Sequence, residues 1–262
     1  MKRVFTTIFT ILFALQMSAQ LVSVEELSKM IKDPNLIVID ARPAGDYLKT
    51  HIDGAINIDA VSLSSNTPTE GALKTVAEMA AIFGSNGVTP DKKIVIYCKT
   101  GVSAGRMYWV MKHIGFKDVS LLDGNMQGWF AARKPITKNP KKLSAATFTP
   151  AVNSSILASK DYVKSKINSS GTVLVDSRIA TDYEAGKIGN AISIPSENLL
   201  VNSKLKSVAD LTAIFSSVPK DKEVIVYCKT GVTGSFTYFV LTSVLKYPYV
   251  KLYAGSYSDW TH

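Results

Sequence analysis

At 262 residues, 46% hydrophobic and 19% charged, the chain has the composition of an ordinary globular protein. It has room for two domains of roughly 110–130 residues, each large enough to bury its own core. That balance excludes a fibrous or disordered polymer. The formal charge of +9 is spread along the sequence and not gathered into a stripe. It therefore argues against nucleic acid as a partner and for a mild attraction of small anions.

The first segment, MKRVFTTIFTILFALQMSAQ, pairs a basic start at Lys2 and Arg3 with a short apolar run, Val4 to Leu15, and small residues before Gln20. This is the pattern of a cleaved secretory leader, and the apolar run is shorter than the ~20 residues a membrane span needs. Residues 1–20 are thus expected to be a signal peptide. The mature protein is expected to be periplasmic or secreted, with no membrane association after cleavage.

Beyond the leader the apolar pattern alternates. VEELSKMI (24–31), LKTVAEMAAIFG (73–84) and SAGRMYWVMKHI (103–114) read as helices. Between them, Ile37–Ile39, Ile94–Tyr97 and Val119–Leu122 are short continuous apolar runs, as in strands buried on both faces of a parallel sheet. Such alternation predicts an α/β fold with ligands bound beyond the carboxyl ends of the strands.

The pattern then repeats. LIVIDARPAGDYLKTHIDGAINI (36–58) aligns with VLVDSRIATDYEAGKIGNAISI (173–194): in both, a strand ends in Asp-x-Arg, an Asp-Tyr pair begins four residues later, and an Ala stands 13 residues after the Arg. KKIVIYCKTGVSAGRMYWVMKHIGF aligns with KEVIVYCKTGVTGSFTYFVLTSVLK, and VSLLDGNMQGW with VKLYAGSYSDW. Four anchors in one order identify a duplicated domain. The Lys-, Ser-, Thr- and Pro-rich stretch between the copies has no sustained period and reads as a connection. The expected organisation is residues 21–137 for the first domain, 138–155 for the linker and 156–262 for the second domain.

The chain's two cysteines occupy one position of this repeat. Cys98 and Cys228 each end a buried strand, and each is followed by Lys-Thr-Gly-Val at the start of a helix. A turn through Lys99, Thr100, Gly101, Val102 and Ser103, or through Lys229, Thr230, Gly231, Val232 and Thr233, can direct backbone N–H groups at the sulfur. The helix N-terminus behind it also favours an anion. That pattern suits a nucleophilic thiolate acting on a negatively charged substrate, with the lysines orienting it.

These motifs resemble those of the tandem rhodanese-type sulfurtransferases, the family of thiosulfate and 3-mercaptopyruvate sulfurtransferases. CKTGVT (228–233) is similar to the family's six-residue active loop, and LYAGSYSDW (252–260) to its C-terminal Gly-aromatic motif. VIDAR with HIDGA, and VDSR with KIGNA, are similar to its N-terminal signatures. The resemblance implies two tandem rhodanese-like domains, each a parallel sheet flanked by helices. It also implies a cysteine that takes sulfane sulfur from a small anionic donor as a persulfide and passes it to cyanide or a thiol, without metal or organic cofactor. Cys228 is then the principal carrier and Cys98 a candidate second one.

Two departures stand out. Tandem members usually keep the cysteine only in the second domain. Some also grip thiosulfate with an arginine where Asp46 and Asp182 stand here, which leaves the donor open.

Other residues have plainer expectations. Arg42 and Arg178 are expected to pair with Asp46 and Asp182, four residues on, and Asp40 and Asp176 to fix loop backbone. His51, matched by Lys187 in the second copy, is expected on the surface, and Trp129 and Trp260 in packing.

Competing readings are a Cys98–Cys228 disulfide, a catalytically silent pair that docks a partner or delivers persulfide within a complex, and a thiol–disulfide carrier, which the absence of Cys-x-x-Cys weakens. A Cys-x5-Arg phosphatase would need an arginine six residues after the cysteine. Ala104 and Gly234 stand there instead; Arg106 comes two residues late, and its counterpart is Phe236.

Overall fold

The computed structural model describes residues 20–262. The expected leader therefore lies outside the described residues except for Gln20.

The first domain is a parallel sheet of β1 (Leu21–Val22), β2 (Leu36–Asp40), β3 (Ile56–Asn57), β4 (Lys93–Tyr97) and β5 (Val119–Leu122) in the order β1-β5-β4-β2-β3. The second repeats it with β6 (Leu157–Ala158), β7 (Thr172–Asp176), β8 (Ile192–Ser193), β9 (Glu223–Tyr227) and β10 (Val250–Tyr253) in the order β6-β10-β9-β7-β8. The central strands are buried on both faces, which is why they read as continuous apolar runs and not as alternations.

Helices cover both faces: α1 (Val24–Met30), α2 (Ala44–Lys49), α3 (Val76–Ser85), α4 (Val102–His113) and α5 (Asn125–Ala131), then α6 (Lys160–Lys166), α7 (Ala180–Ala185), α8 (Val208–Ile214), α9 (Val232–Phe239) and α10 (Ser256–Trp260). The sequence places the start of α3 at residue 73, but the helix begins at Val76. Thr75 caps it, with Oγ1 accepting from the Glu78 N–H at 3.2 Å while the Glu78 carboxylate accepts from the Thr75 N–H at 2.8 Å. The Thr75 hydroxyl, donating to the same carboxylate at 2.7 Å, and the Thr75 N–H hold the Glu78 carboxyl below its usual range. Ala72–Leu73 is freed to form an antiparallel hairpin with Ser64–Ser65, and Leu200–Val201 with Lys204–Leu205 is its counterpart in the second domain.

The domains meet through α4 and α9. A Cβ on Gly105 would stand 2.7 Å from Phe236 Cα, so glycine there sets how closely the helices approach. Tyr108 packs edge-on against Phe239, with ring centroids 5.0 Å apart. Its hydroxyl meets Ser243 Oγ at 3.0 Å and bonds to the side chain of Gln20. Ser243 lies in a π-helical continuation of α9, Val240–Val244. One apolar core runs through both domains, including Trp109, Phe236 and Phe239.

The connecting stretch is not loose. The Ala146 N–H donates to Gly84 O at 2.8 Å, Ala151 N–H to Ile114 O at 3.1 Å and Asn153 N–H to His113 O at 2.7 Å. Phe148 packs on Phe116. An aperiodic sequence becomes an ordered strap because carbonyls at the carboxyl ends of α3 and α4 have no partner within their own helices and accept from it.

Candidate active site

Each cysteine follows a buried strand, Cys98 after β4 and Cys228 after β9, and each is 2% exposed. Both are free thiols, so the disulfide alternative is not formed. The loops curl as expected. Gly101 N–H donates to Cys98 Sγ at 3.0 Å, and Gly231 N–H to Cys228 Sγ at 3.1 Å. Gly101 and Gly231 have φ of 100° and 81°, angles open to glycine at little cost. Thr100, Thr230 and the first-turn residues Val102, Ser103, Val232 and Thr233 are half-buried around the sulfurs, while Lys99 and Lys229 are exposed.

The strand-end motifs hold these loops from below. Asn125 (φ 52°) and Ser256 (φ 57°) occupy equivalent positions after β5 and β10. Asn125 Oδ1 accepts from the Cys98 N–H and Ser256 Oγ from the Cys228 N–H, both at 3.1 Å. Burial pushes the Cys98 thiol up, against the backbone N–H groups of Ala104, Thr100, Gly101 and Ser103, which favour the thiolate.

Each loop is roofed by the other domain. The tip of the first domain's hairpin lies on the Cys228 loop: Lys229 Nζ sits 3.1 Å from Glu70 Oε2, and a Cβ on Gly71 would fall 2.5 Å from Thr230 Cβ. Both charges of that pair are more than half exposed, so it contributes little. The tip of the second hairpin lies against the turn that holds the Cys98 loop, with Asn125 Nδ2 donating to Ser203 O at 3.2 Å and Lys204 3.6 Å from Asp123, and Ser203 lines a small cavity with Gly101.

The cation buried in this interface is Arg106, which by its place in the sequence is only an arginine two residues too late to clamp a phosphate. It projects from α4 of the first domain yet is 1% exposed, against the loop of the second. Nη1 donates to Gly231 O at 3.4 Å, and Nη2 to Gly71 O at 3.1 Å and Ser64 Oγ at 3.4 Å. Nε has no partner among the described residues. Burial lowers the guanidinium to about 10 while the charge of Cys228 raises it, so it stays protonated at neutral pH. The sequence signal was the mismatch itself: a lone arginine in an apolar helix where the second copy has Phe236.

Its own domain's Ala254 carbonyl and Arg106 from the roof together make Gly231 the tighter of the two loop glycines. A Cβ there would meet Ala254 O at 2.4 Å and Arg106 Nη1 at 2.8 Å, whereas at Gly101 the nearest atom is Phe236 Cε2 at 3.1 Å. Gly231→Ala should therefore cost about 1–3 kcal/mol, and more than Gly101→Ala, as read by the midpoint of urea unfolding.

Two expectations are corrected. Arg42 and Arg178 do not pair with Asp46 and Asp182. They turn back to Asp40 and Asp176, each at 2.6 Å, and spend a further donor on Thr50 O and Gly186 O. The carboxylate two residues back lies buried at the strand end beside the arginine, whereas Asp46 faces solvent near Lys49. His51 is not on the surface but fully buried, stacked on Tyr47 at 3.7 Å and bonded to Tyr47 O and Asn139 O. Trp129 packs as expected, 1% exposed, with Nε1 donating to Pro135 O.

Residues 23–132 and 159–262 match the family described as Rhodanese-like domain. A 3-mercaptopyruvate sulfurtransferase of Escherichia coli is 30% identical over 91% of this chain and 94% of its own length. A thiosulfate sulfurtransferase of Pseudomonas aeruginosa is 28% identical over 90% and 91%. The crystal structure of SseA from Escherichia coli, described as having the rhodanese fold, superposes with a TM-score of 0.82 at 28% identity, covering 92% of this chain and all of that one.

Proposed function

The chain belongs to the rhodanese-like domain family and is a rhodanese-type sulfurtransferase, and from that premise we propose that Cys228 carries sulfane sulfur as a persulfide from thiosulfate or 3-mercaptopyruvate to cyanide or a thiol. The observation that carries this reading is a sulfur cradled by the Gly231 N–H with a buried, incompletely satisfied guanidinium beside its loop. A persulfide is an anion without a counter-ion of its own, and such a site offers it donors in a low-dielectric setting.

With thiosulfate, the Cys228 thiolate attacks the outer sulfur. The donor S–S bond breaks, its electron pair leaves on sulfite, and the enzyme keeps Cys–S–S⁻. With 3-mercaptopyruvate the C–S bond breaks instead, its electron pair passes to carbon as the enolate, and the donor's thiol proton completes pyruvate. In both cases the acceptor then attacks the terminal persulfide sulfur and the Cys228 thiolate returns. Neither route requires a metal or organic cofactor.

Incubation with either donor should add the mass of one sulfur atom to the intact protein, and cyanide should remove it. Failure of both donors to add sulfur would overturn the reading and favour a silent, partner-docking pair. We also propose that the protein works in the periplasm or outside the cell, on the strength of the leader-like residues 1–20. Protein recovered from its own cells should then lack about that length of N-terminus; a mass retaining it would refute this placement.

A further inference from the structure

The two active loops are letter-for-letter the same from cysteine to valine, so any difference between them has to come from what surrounds them. The duplication makes that comparison position by position. α4 and α9 cross near their N-termini, and each sends one side chain, five residues past its loop glycine, onto the other domain's loop. From α4 this is Arg106, against Gly231; from α9 it is Phe236, whose ring would touch a Cβ on Gly101.

A second substitution acts in the same direction. After the last strand of each sheet, the first domain has Asp123 where the second has Ala254. Asp123 is mostly buried, accepts from the Leu205 N–H and, among the described residues, pairs with the exposed Lys204 alone. The cavity at the Cys98 loop, about 10 Å³, is lined by Phe236, Phe239, Leu200, Leu205, Asn125 and Asp123, among others. Lys99 and Lys229 are common to both loops and exposed, and Lys229 has Glu70 beside it. Glu70 offsets part of the Lys229 charge, a difference that by itself favours anions at Cys98; it lies in solvent and is screened, so the buried groups separate the sites. The buried groups are thus a guanidinium at the Cys228 loop, and at the Cys98 loop an aromatic ring with a mostly buried carboxylate whose partner, Lys204, is exposed.

We propose that the Arg106/Phe236 pair, with Asp123 behind it, decides which of the two cysteines an anionic donor can charge: Cys228 accepts anions and Cys98 refuses them. The choice is thus made by a residue of the opposite domain and not by the loop that bears the nucleophile. This inference rests on the sulfur-transfer reading for its biological meaning, but its electrostatic content can be tested without any sulfur donor.

Iodoacetate and iodoacetamide alkylate thiolates by the same displacement of iodide and are nearly equal in size, but only the first is an anion. The ratio of their rates therefore reports local charge with access divided out. The ratio should be measured by mass spectrometry on Cys98→Ser, which leaves Cys228, and on Cys228→Ser, which leaves Cys98. At Cys228 it should exceed that at Cys98 by about tenfold, the effect of one partly screened charge. Arg106→Met in the Cys98→Ser background should abolish most of the excess. Because methionine fills the arginine's apolar volume, a change in fold is checked by circular dichroism and thermal unfolding of the same sample.

Sulfur uptake from thiosulfate should follow the same order, present in Cys98→Ser, absent in Cys228→Ser and lost again with Arg106→Met. Phe236→Arg in the Cys228→Ser background should raise the ratio at Cys98 if the variant folds; if it does not, the arginine variant alone decides. Equal ratios at the two cysteines, an unchanged ratio in folded Arg106→Met, or a Cys98 that reacts with neither reagent would overturn the proposal, the last because closure and not charge would then separate the sites. A correct pattern of ratios without sulfur uptake from either donor would leave the charge asymmetry in place and refute the sulfur-transfer reading instead.

Discussion

Cys228→Ser is expected to lower sulfur-transfer turnover by at least about a thousandfold, the scale on which loss of a covalent nucleophile acts. Serine fits the space and can still accept the Gly231 N–H bond, so the loop should keep its shape. What disappears is the atom that can form a bond to sulfur and release it again. An alcohol oxygen at neutral pH is neither deprotonated nor thiophilic, and an O–S linkage would not pass its sulfur to cyanide. Turnover is read as thiocyanate formed from thiosulfate and cyanide, or as pyruvate released from 3-mercaptopyruvate, with unfolding midpoints confirming an intact fold. Retention of full turnover by this variant, together with its loss in Cys98→Ser, would reverse the assignment of the two domains.

Much of this site could be read from the letters. The duplication, the parallel strands and the cysteine turns all rest on local signals: continuous apolar runs, a glycine where the turn needs positive φ, and a repeat that exposes itself by its spacing. What the sequence hid was contact between parts distant along the chain. Arg106 lies 125 residues from the carbonyl it meets, Gly231 O, and nothing local to α4 says that its outward face will be covered by another domain. The roofing hairpins are two-residue strands, too short for any period to register. His51 illustrates the same limit. Its polarity and its lysine counterpart suggest exposure, but Tyr47 stacks on it and the strap's Asn139 seals it.

The arginines of the Asp-x-Arg motif show how helical spacing can mislead at a strand end. Four residues is the reach of an ion pair along a helix, and it pointed to Asp46 and Asp182. At the end of β2 and β7, however, the chain turns sharply. The guanidinium folds back over its own turn, and the carboxylate two residues earlier also takes the arginine's backbone N–H at 3.0 Å. One short motif thus closes the turn, satisfies a buried charge and fixes where the next segment leaves.

That construction makes Asp176→Ala the substitution with the largest expected cost in stability, about 3–5 kcal/mol. Asp176 is fully buried, and Arg178, whose side chain is 5% exposed, gives it bonds from Nε and Nη2. Removing the carboxylate leaves that guanidinium with the Gly186 carbonyl, the face of the Tyr257 ring, 3.9 Å from the ring centroid, and the more distant Tyr227 ring at 5.9 Å, and with no carboxylate. A cation stripped of its counter-ion in such a place costs far more than the pair contributed. The damage should also reach the active loop. The Ser177 N–H donates to Tyr227 O, and Tyr227 immediately precedes Cys228. Burial, reinforced by the charge of Asp176, keeps the Tyr227 phenol protonated, and its oxygen accepts from the Ile188 N–H at 3.0 Å. Urea unfolding should show the loss directly, and turnover should fall with it. Adding Arg178→Met to Asp176→Ala should recover a large part of the stability, because the buried unpaired charge is then gone. If the single variant unfolds at the wild-type midpoint, or the double variant is no more stable than the single, then the turn and not the ion pair holds this end of the strand.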